Sequence, residues 1–325
     1  MRRAVIAAVF AFSSIAIAFQ SVDTAVSITP RMRPDATSAA APHVQAHLRV
    51  DSALVQIPVH VTTPLGTSVT DLAREHFVLF EDEVQQKIAY FAKDDAPLSI
   101  GLVLDASGSM HNKIQKACEA AATFFKTANG QDEFFLIEFN ERPKLAVQFT
   151  SDSGEIYKRI VQTRPFGRTS LLDAIHAAAL NMKNAQNFRK AIVILSDGGD
   201  NRSRHTAHEI KTALLEADVQ VYAMGIFDPE DAKKHPLEEM NGPQLLDDLT
   251  DQTGGKLYRV DKLNDLPAIS ERISNELRNE YVLAYFSTNA ERDGKYRRVS
   301  LKLNPPAGMP NLRAYYRHGY YAPVQ

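Results

Sequence analysis

The sequence predicts an α/β fold, with a mostly parallel central sheet covered by helices on both faces, and three observations lead to it. Residues 98–104, "LSIGLVL", form an apolar run that suits a strand buried on both sides and is too short for an ordinary helix. Strand-like and helix-like segments then alternate down to about residue 280. The links between them are short, as βαβ units require. With 325 residues, 44% hydrophobic, the chain is long enough to bury a large core and to carry smaller flanking units.

Taken in order, the first helix lies in 111–129, "HNKIQKACEAAATFFKTAN", where Ile114, Ala117, Cys118, Ala121, Phe124 and Phe125 recur at three and four and Gly130 ends the pattern. Strand "DEFFLIEF" (132–139) follows, then helix "SLLDAIHAAALNMKN" (170–184) and strand "KAIVILS" (190–196). Helix "TAHEIKTALLEA" (206–217), strand "VQVYAMGI" (219–226) and helix "PQLLDDLTDQT" (243–253) continue the alternation. Strand "KLYRV" (256–260) and helix "LNDLPAISERISNELRNE" (263–280) close it. Cys118 is the only cysteine, so no intrachain disulfide forms, and it is expected on the buried face of its helix.

Both flanks read as β structure. In 48–63, "LRVDSALVQIPVHVTT", Leu54, Gln56, Pro58 and His60 fall on one side and Val55, Ile57, Val59 and Val61 on the other, with Pro58 placing the strand at an edge or bulge. "FVLFEDEVQQKIAYFAKD" reads as a strand pair hinged on the acidic turn Glu81 to Glu83. After residue 280, "YVLAYFST", "YRRVSLKLN" and "LRAYYRHGYY" are three strands separated by turn-rich links. The flanking segments, 48–95 and 281–325, are expected to pack together.

The N-terminus has Arg2 and Arg3, an apolar run from Ala4 to Phe12, and the small-x-small triplet Ala16, Ile17, Ala18. This is the grammar of a signal peptide spanning 1–18, with the mature chain starting at Phe19 and exported to the periplasm or exterior; an uncleaved membrane anchor is the alternative. Residues 19–47, rich in Ala, Ser, Thr and Pro, read as a flexible tether. No other segment is apolar and long enough to span a bilayer. Net charge is −2, with no basic run to replace phosphate counterions, so nucleic acid is not an expected partner.

The chemistry lies in "LVLDASGSM", where a buried strand ends in Asp105 followed by Ser107 and Ser109 at alternate positions. In open parallel sheets ligands gather beyond the carboxyl ends of the strands. Two other loops of that kind carry oxygen ligands: "PFGRTSLLDA" supplies Thr169 and "VILSDGGDN" supplies Asp197. Asp105, Ser107, Ser109, Thr169 and Asp197 offer only oxygen, with two carboxylates to balance a divalent charge. Such a set suits Mg2+, with Mn2+ or Ca2+ as substitutes, and lacks the nitrogen and sulfur of zinc sites. Gly108, Gly167 and Gly198 relieve crowding where the loops converge.

"DASGSM", "GRTSLLDAI" and "ILSDGGDN", in that order at three strand ends, resemble the metal-ion-dependent adhesion site (MIDAS) of von Willebrand factor type A domains. The resemblance covers about residues 96–280 and implies a Rossmann-like domain. The flanking "HFVLFEDEVQQKIAYFAKDDAPLSIG" and "RHGYYAP" are similar to a bacterial subgroup of exported proteins with that domain. What the resemblance implies is a non-catalytic adhesion or interaction module of the cell envelope, whose bound metal takes a carboxylate from a protein partner. The alternative is an accessory subunit of a membrane transporter, channel or metal-inserting assembly.

Competing readings are weaker. Ser107 lacks the G-x-S-x-G frame of a nucleophile elbow and an assigned base, and the phosphate loop G-x-x-x-x-G-K-[ST] is absent. Serines that merely cap a helix would explain one hydroxyl and not the two aspartates. His205 and His208 are spaced as on one helix face, Asp228, Glu230 and Asp231 as in a compensated surface loop, and Tyr315, Tyr316, Tyr320 and Tyr321 as the packed edge of the terminal sheet.

Overall fold

The computed structural model of the protein describes residues 54–93, 96–227 and 236–324. The leader, the tether and the acidic group Asp228, Glu230 and Asp231 lie outside the described residues. Four strands precede the α/β region: β1 (Leu54–Thr62), β2 (Phe77–Glu81), β3 (Val84–Gln86) and β4 (Ile88–Lys93). β2 and β3 form the expected hairpin on the acidic turn, with Asp82 and Glu83 both at positive φ, as the right-handed strand twist demands of a two-residue turn.

The central sheet holds β5 (Leu98–Asp105), β6 (Glu133–Phe139), β7 (Pro143–Thr150), β8 (Arg189–Ser196), β9 (Gln220–Gly225) and β10 (Lys256–Arg259). Its order is β10-β9-β8-β5-β6-β7, parallel throughout except for β7 at one edge. β5 is buried at every position and stands mid-sheet. Its alternate side chains feed two cores. Leu98, Ile100, Leu102 and Leu104 meet α1 (Ile114–Phe125), α2 (Ser153–Val161) and a C-terminal helix, α6 (Leu266–Arg278). Val103 faces the other side, where α3 (Leu171–Asn181), α4 (Ala207–Glu216) and α5 (Pro236–Thr253) pack. Cys118 is partly buried against the first of these cores.

β7 and α2 are absent from the sequence reading, and both bury little. Val147 is the one buried residue of β7, and α2 buries only Ile156 and Ile160, a single i, i+4 pair. An edge strand and a two-turn helix leave no sustained period. α5 begins before the expected start at Pro243, which lies inside it.

The C-terminal flank supplies β11 (Tyr281–Phe286), β12 (Tyr296–Leu303), β13 (Arg313–Tyr316) and β14 (Gly319–Tyr321). The last expected strand is in fact two, broken at Arg317 and His318, and its halves join different sheets. One sheet runs β13-β1-β11-β4, the other β14-β12-β2-β3, so each mixes strands from the two ends of the chain. Between them lies a third core that includes Ile57, Val59, Leu79, Leu283 and Val299. β1 is an inner strand and not the expected edge, but Pro58, opposite Val282 of β11, is unpaired on the β13 side, where pairing begins only at Val59, and that side tolerates its missing N–H. Glu81 is buried in this unit, accepting hydrogen bonds from Tyr285 Oη (2.7 Å), Tyr320 Oη (2.8 Å) and Ser287 Oγ (2.5 Å). At the junction with the α/β region, buried Glu280 accepts from Arg189 (2.7 Å) and Gln220 (2.7 Å).

Leu283 is fully buried between β1 and β4, whereas Leu54 at the start of β1 is 44% exposed. Leu283→Ala is expected to lower stability by about 2–5 kcal/mol and Leu54→Ala by less than about 0.5 kcal/mol in urea denaturation. Equal effects would show that the mixed sheets do not form a shared core.

Candidate functional site

β5 and β8 are neighbours whose following strands lie on opposite sides, β6 beside β5 and β9 beside β8. Such a reversal opens a crevice at the carboxyl ends of the two strands. Leu104 sits opposite Leu195, which sets Asp105 beside Ser196 with Asp197 immediately beyond. The two aspartates therefore meet because parallel register brings two strand ends level.

Asp105 is fully buried; its Oδ1 accepts from the Ser107 N–H at 2.8 Å and its Oδ2 from Ser196 Oγ at 2.6 Å. Burial, and after it the negative charge of Asp197, push the Asp105 carboxyl up to about 7, while the donors from Ser107 and Ser196 act in the opposite direction. Asp197 is 4% exposed and faces Lys113, whose Nζ lies 3.5 Å from Asp197 Oδ2. Lys113 is also buried, so it acts as an internal cation for that carboxylate.

The hydroxyls of Ser107 and Ser109 are 3.0 Å apart. Neither serves as a cap for α1, whose N-cap is Lys113, and Ser107 makes no side-chain capping bond to the short turn of helix Gly108–Met110. The loops that carry the predicted residues are bonded to one another through their backbones. Gly108 N–H donates to Gly167 O at 3.0 Å and Phe166 N–H to Ala106 O at 2.9 Å, tying the first loop to the second. Asn201 closes the second onto the third, its N–H donating to Thr169 O at 3.1 Å and its Oδ1 accepting from Thr169 N–H at 3.2 Å. Gly167 and Gly198 have φ of +80° and +83°, a region that favours glycine. At Gly198 a Cβ would also stand 3.3 Å from the backbone of Gly242.

Asp105, Ser107, Ser109, Thr169 and Asp197 thus lie on three mutually bonded loops at one crevice, with four of the five buried and Ser109 exposed. Among the described residues no group of three or more His, Cys, Asp or Glu could hold a metal. A cation held here would rely on hydroxyl oxygens beside two carboxylates, a donor set fitted to a hard ion. The crowding of two buried carboxylates, with two hydroxyls facing each other, is consistent with such an ion.

Sequence reasoning missed Ser196, Lys113 and Asn201. Lys113 had a signal: Met110, Ala117, Ala120 and Phe124 are buried at spacings of seven, three and four, and Lys113 occupies the vacant place in that stripe. Ser196 simply precedes Asp197 at a strand end and carries no mark of its own. His205 does not join His208 in a metal pair; its Nδ1 lies 2.7 Å from Asp173 Oδ1 and its ring stacks on His176 at 4.0 Å. The terminal tyrosines pack as expected of a sheet edge, Tyr316 Oη accepting from Leu301 N–H and Tyr321 meeting Tyr296 edge-on.

Residues 100–199, which contain all five predicted positions, match the family model described as von Willebrand factor type A domain. An uncharacterized protein of Borreliella burgdorferi is 23% identical over 186 residues, 51% of this chain and 54% of that protein. The chain thus spans about half the length of the curated relative it matches. Among solved structures, the hypothetical protein BatB from Bacteroides thetaiotaomicron is 20% identical with a TM-score of 0.45, covering 55% of this chain and 98% of that one. A von Willebrand factor type A protein from Catenulispora acidiphila is 12% identical with a TM-score of 0.49, covering 85% and 75%. Among the described residues no helix is long and apolar enough to cross a membrane.

The raised Asp105 pKa has a definite sign. A carboxyl whose folded value exceeds its unfolded one favours the folded state below the unfolded value, and that contribution is lost as pH rises through the folded value. EDTA-treated protein is expected to melt at a lower temperature at pH 8 than at pH 5, with Asp105→Asn flattening the difference. A wild-type and Asn variant with parallel pH profiles by differential scanning calorimetry would contradict the assignment.

Proposed function

We propose that this chain, which carries a von Willebrand factor type A domain across residues 100–199, is a non-catalytic protein-binding module that works through a divalent cation, Mg2+ in the first place. The single observation that carries the reading is the crevice itself: Asp105 and Asp197 crowded at adjacent strand ends, with the hydroxyls of Ser107 and Ser109 3.0 Å apart beside them. Ser107, Ser109 and Thr169 would hold the ion through hydroxyl oxygens, and Asp105 and Asp197 would balance its charge directly or through water. The ion supplies a positive centre with a coordination position open to a carboxylate from a protein partner.

The protein's own residues prepare that centre. Ser196 and the Ser107 N–H hold the Asp105 carboxylate in one orientation and leave each of its oxygens a lone pair. Lys113 Nζ, 3.5 Å from Asp197 Oδ2, holds that carboxylate in place. The signal-like N-terminus supports a place in the cell envelope or outside the cell, with export leaving a mature chain that starts at Phe19.

The test is thermal melting of EDTA-stripped protein titrated with Mg2+. At about 100 times its dissociation constant the ion is expected to add roughly 2.7 kcal/mol of stability. Asp105→Ala abolishes the gain, Ser107→Ala reduces it less because water replaces a neutral hydroxyl, and Mn2+ substitutes where zinc does not. The same gain from Mg2+ in wild type and Asp105→Ala would refute the site. For the partner, capture from envelope extract should require both the ion and Asp105.

A further inference from the structure

Five arginines stand on the loops that frame this crevice: Arg142 between β6 and β7, Arg164 and Arg168 before α3, Arg202 and Arg204 between β8 and α4. All five are exposed. Their loops are bonded into one rim, since Ser170 N–H donates to Asn140 O at 2.8 Å and Asn201 N–H to Thr169 O at 3.1 Å. Several arginines elsewhere are matched with carboxylates, as in Arg159 with Glu138, Arg189 with Glu280, Arg278 with Asp132 and Arg317 with Asp218, whereas exposed Arg298 and Arg313 stand singly on one strand each and not in a cluster. Among the described residues none of the five rim guanidinium groups has such an ion pair.

Nearby acids are largely engaged by the loops themselves. Asp173 accepts from the Arg204 N–H at 2.9 Å and pairs with His205, and Asp200 accepts from the Ser203 N–H at 3.3 Å. Glu141 is the exposed acid of the rim, its side chain against Gly167. The chain as a whole carries a net charge of −2, whereas the exposed charges of the rim are five arginines against Glu141. Within the rim, Phe166 is 65% exposed between Arg164 and Arg168.

We propose that this rim selects an acidic, extended polypeptide segment of the partner, with several carboxylates on the arginines and an apolar side chain on Phe166. The inference rests on the reading of the crevice as a cation-dependent protein-binding site and adds which proteins it takes. Guanidinium groups are planar forks that pair with carboxylates through two parallel hydrogen bonds, and exposed groups in a ring steer a segment of opposite charge. A nucleic acid is the poorer match. One exposed aromatic gives no stacking platform for successive bases.

The experiment is fluorescence anisotropy with a labelled synthetic peptide of alternating acidic and leucine residues, and its Asn/Gln counterpart, against the full chain in Mg2+ and in EDTA at two salt concentrations. Wild type is expected to bind the acidic peptide at least tenfold more tightly than the amide peptide, with affinity falling as salt rises. The triple variant Arg164→Glu, Arg168→Glu, Arg202→Glu is expected to lose at least tenfold, while its thermal gain from Mg2+ matches wild type. That gain also shows that the variant is folded; the corresponding Gln variant is expected to fall in between. Asp105→Ala should retain weaker, salt-sensitive binding that the triple variant lacks. Acidic-peptide binding that depends on the arginines without any thermal gain from Mg2+ would uphold the rim and sink the metal reading. A normal gain from Mg2+ with peptide binding unchanged in the triple variant would overturn the rim, as would tighter binding of a single-stranded oligonucleotide than of the acidic peptide.

Discussion

Two carboxylates placed level at the ends of neighbouring buried strands repel one another where water does not reach, and the arrangement of the crevice follows from that repulsion. A buried charge left without partners costs several kcal/mol, so each aspartate has its own relief. Asp105 takes a main-chain N–H and the Ser196 hydroxyl, and shifts toward its neutral form. Asp197 takes Lys113, the N-cap residue of the helix that follows the serine loop. The relief is partial, since hydrogen bonds and one ammonium at 3.5 Å leave Asp105 still displaced from its ordinary range. A doubly charged ion among the hydroxyls would serve both aspartates at once. Lys113 also bears on ion affinity, because an ammonium already beside Asp197 weakens the pull on a second cation.

The scaffold that holds the two strand ends level reaches beyond the α/β region. Glu280, at the junction with β11, is buried between Arg189 at the start of β8 and Gln220 at the start of β9. Breaking such a pair on one side alone leaves a buried charge uncompensated. The sandwich built from both chain ends is therefore anchored to the same strand that delivers Asp197 at its other end. The opposite pole of the sheet is where the three loops bond to one another, so the Glu280 anchor and the crevice stand at the two ends of β8.

Much of this was legible in the sequence, and for physical reasons. β5 announces itself because a strand buried on both faces must be apolar throughout. α1 does so because one face repeats at three and four. That Asp105, Ser107, Ser109, Thr169 and Asp197 stand on loops at one end of the sheet was legible because each follows an apolar strand or opens a helix. β7 and α2 were hidden because one and two buried residues leave no period. The break between β13 and β14 was hidden because both halves are aromatic and strand-like, and only the pairing partners tell them apart. Lys113 was overlooked because its burial depends on Asp197, a residue 84 positions away that only the sheet brings near. The arginines of the rim carry no shared signal in the sequence, because only the backbone bonds between their loops gather them around one crevice.

The central claim is that these five residues form one cation site, and anomalous diffraction from crystals grown with Mn2+ tests it most directly. The account predicts a single strong peak in the crevice, at roughly 2.0–2.4 Å from the hydroxyl oxygens of Ser107 and Ser109, a range spanning octahedral to looser oxygen coordination. It also predicts that Thr169, Asp105 and Asp197 contact the ion directly or through one water. No peak at saturating Mn2+, or a peak held by other residues while Asp105 keeps only Ser107 and Ser196 as partners, would contradict it.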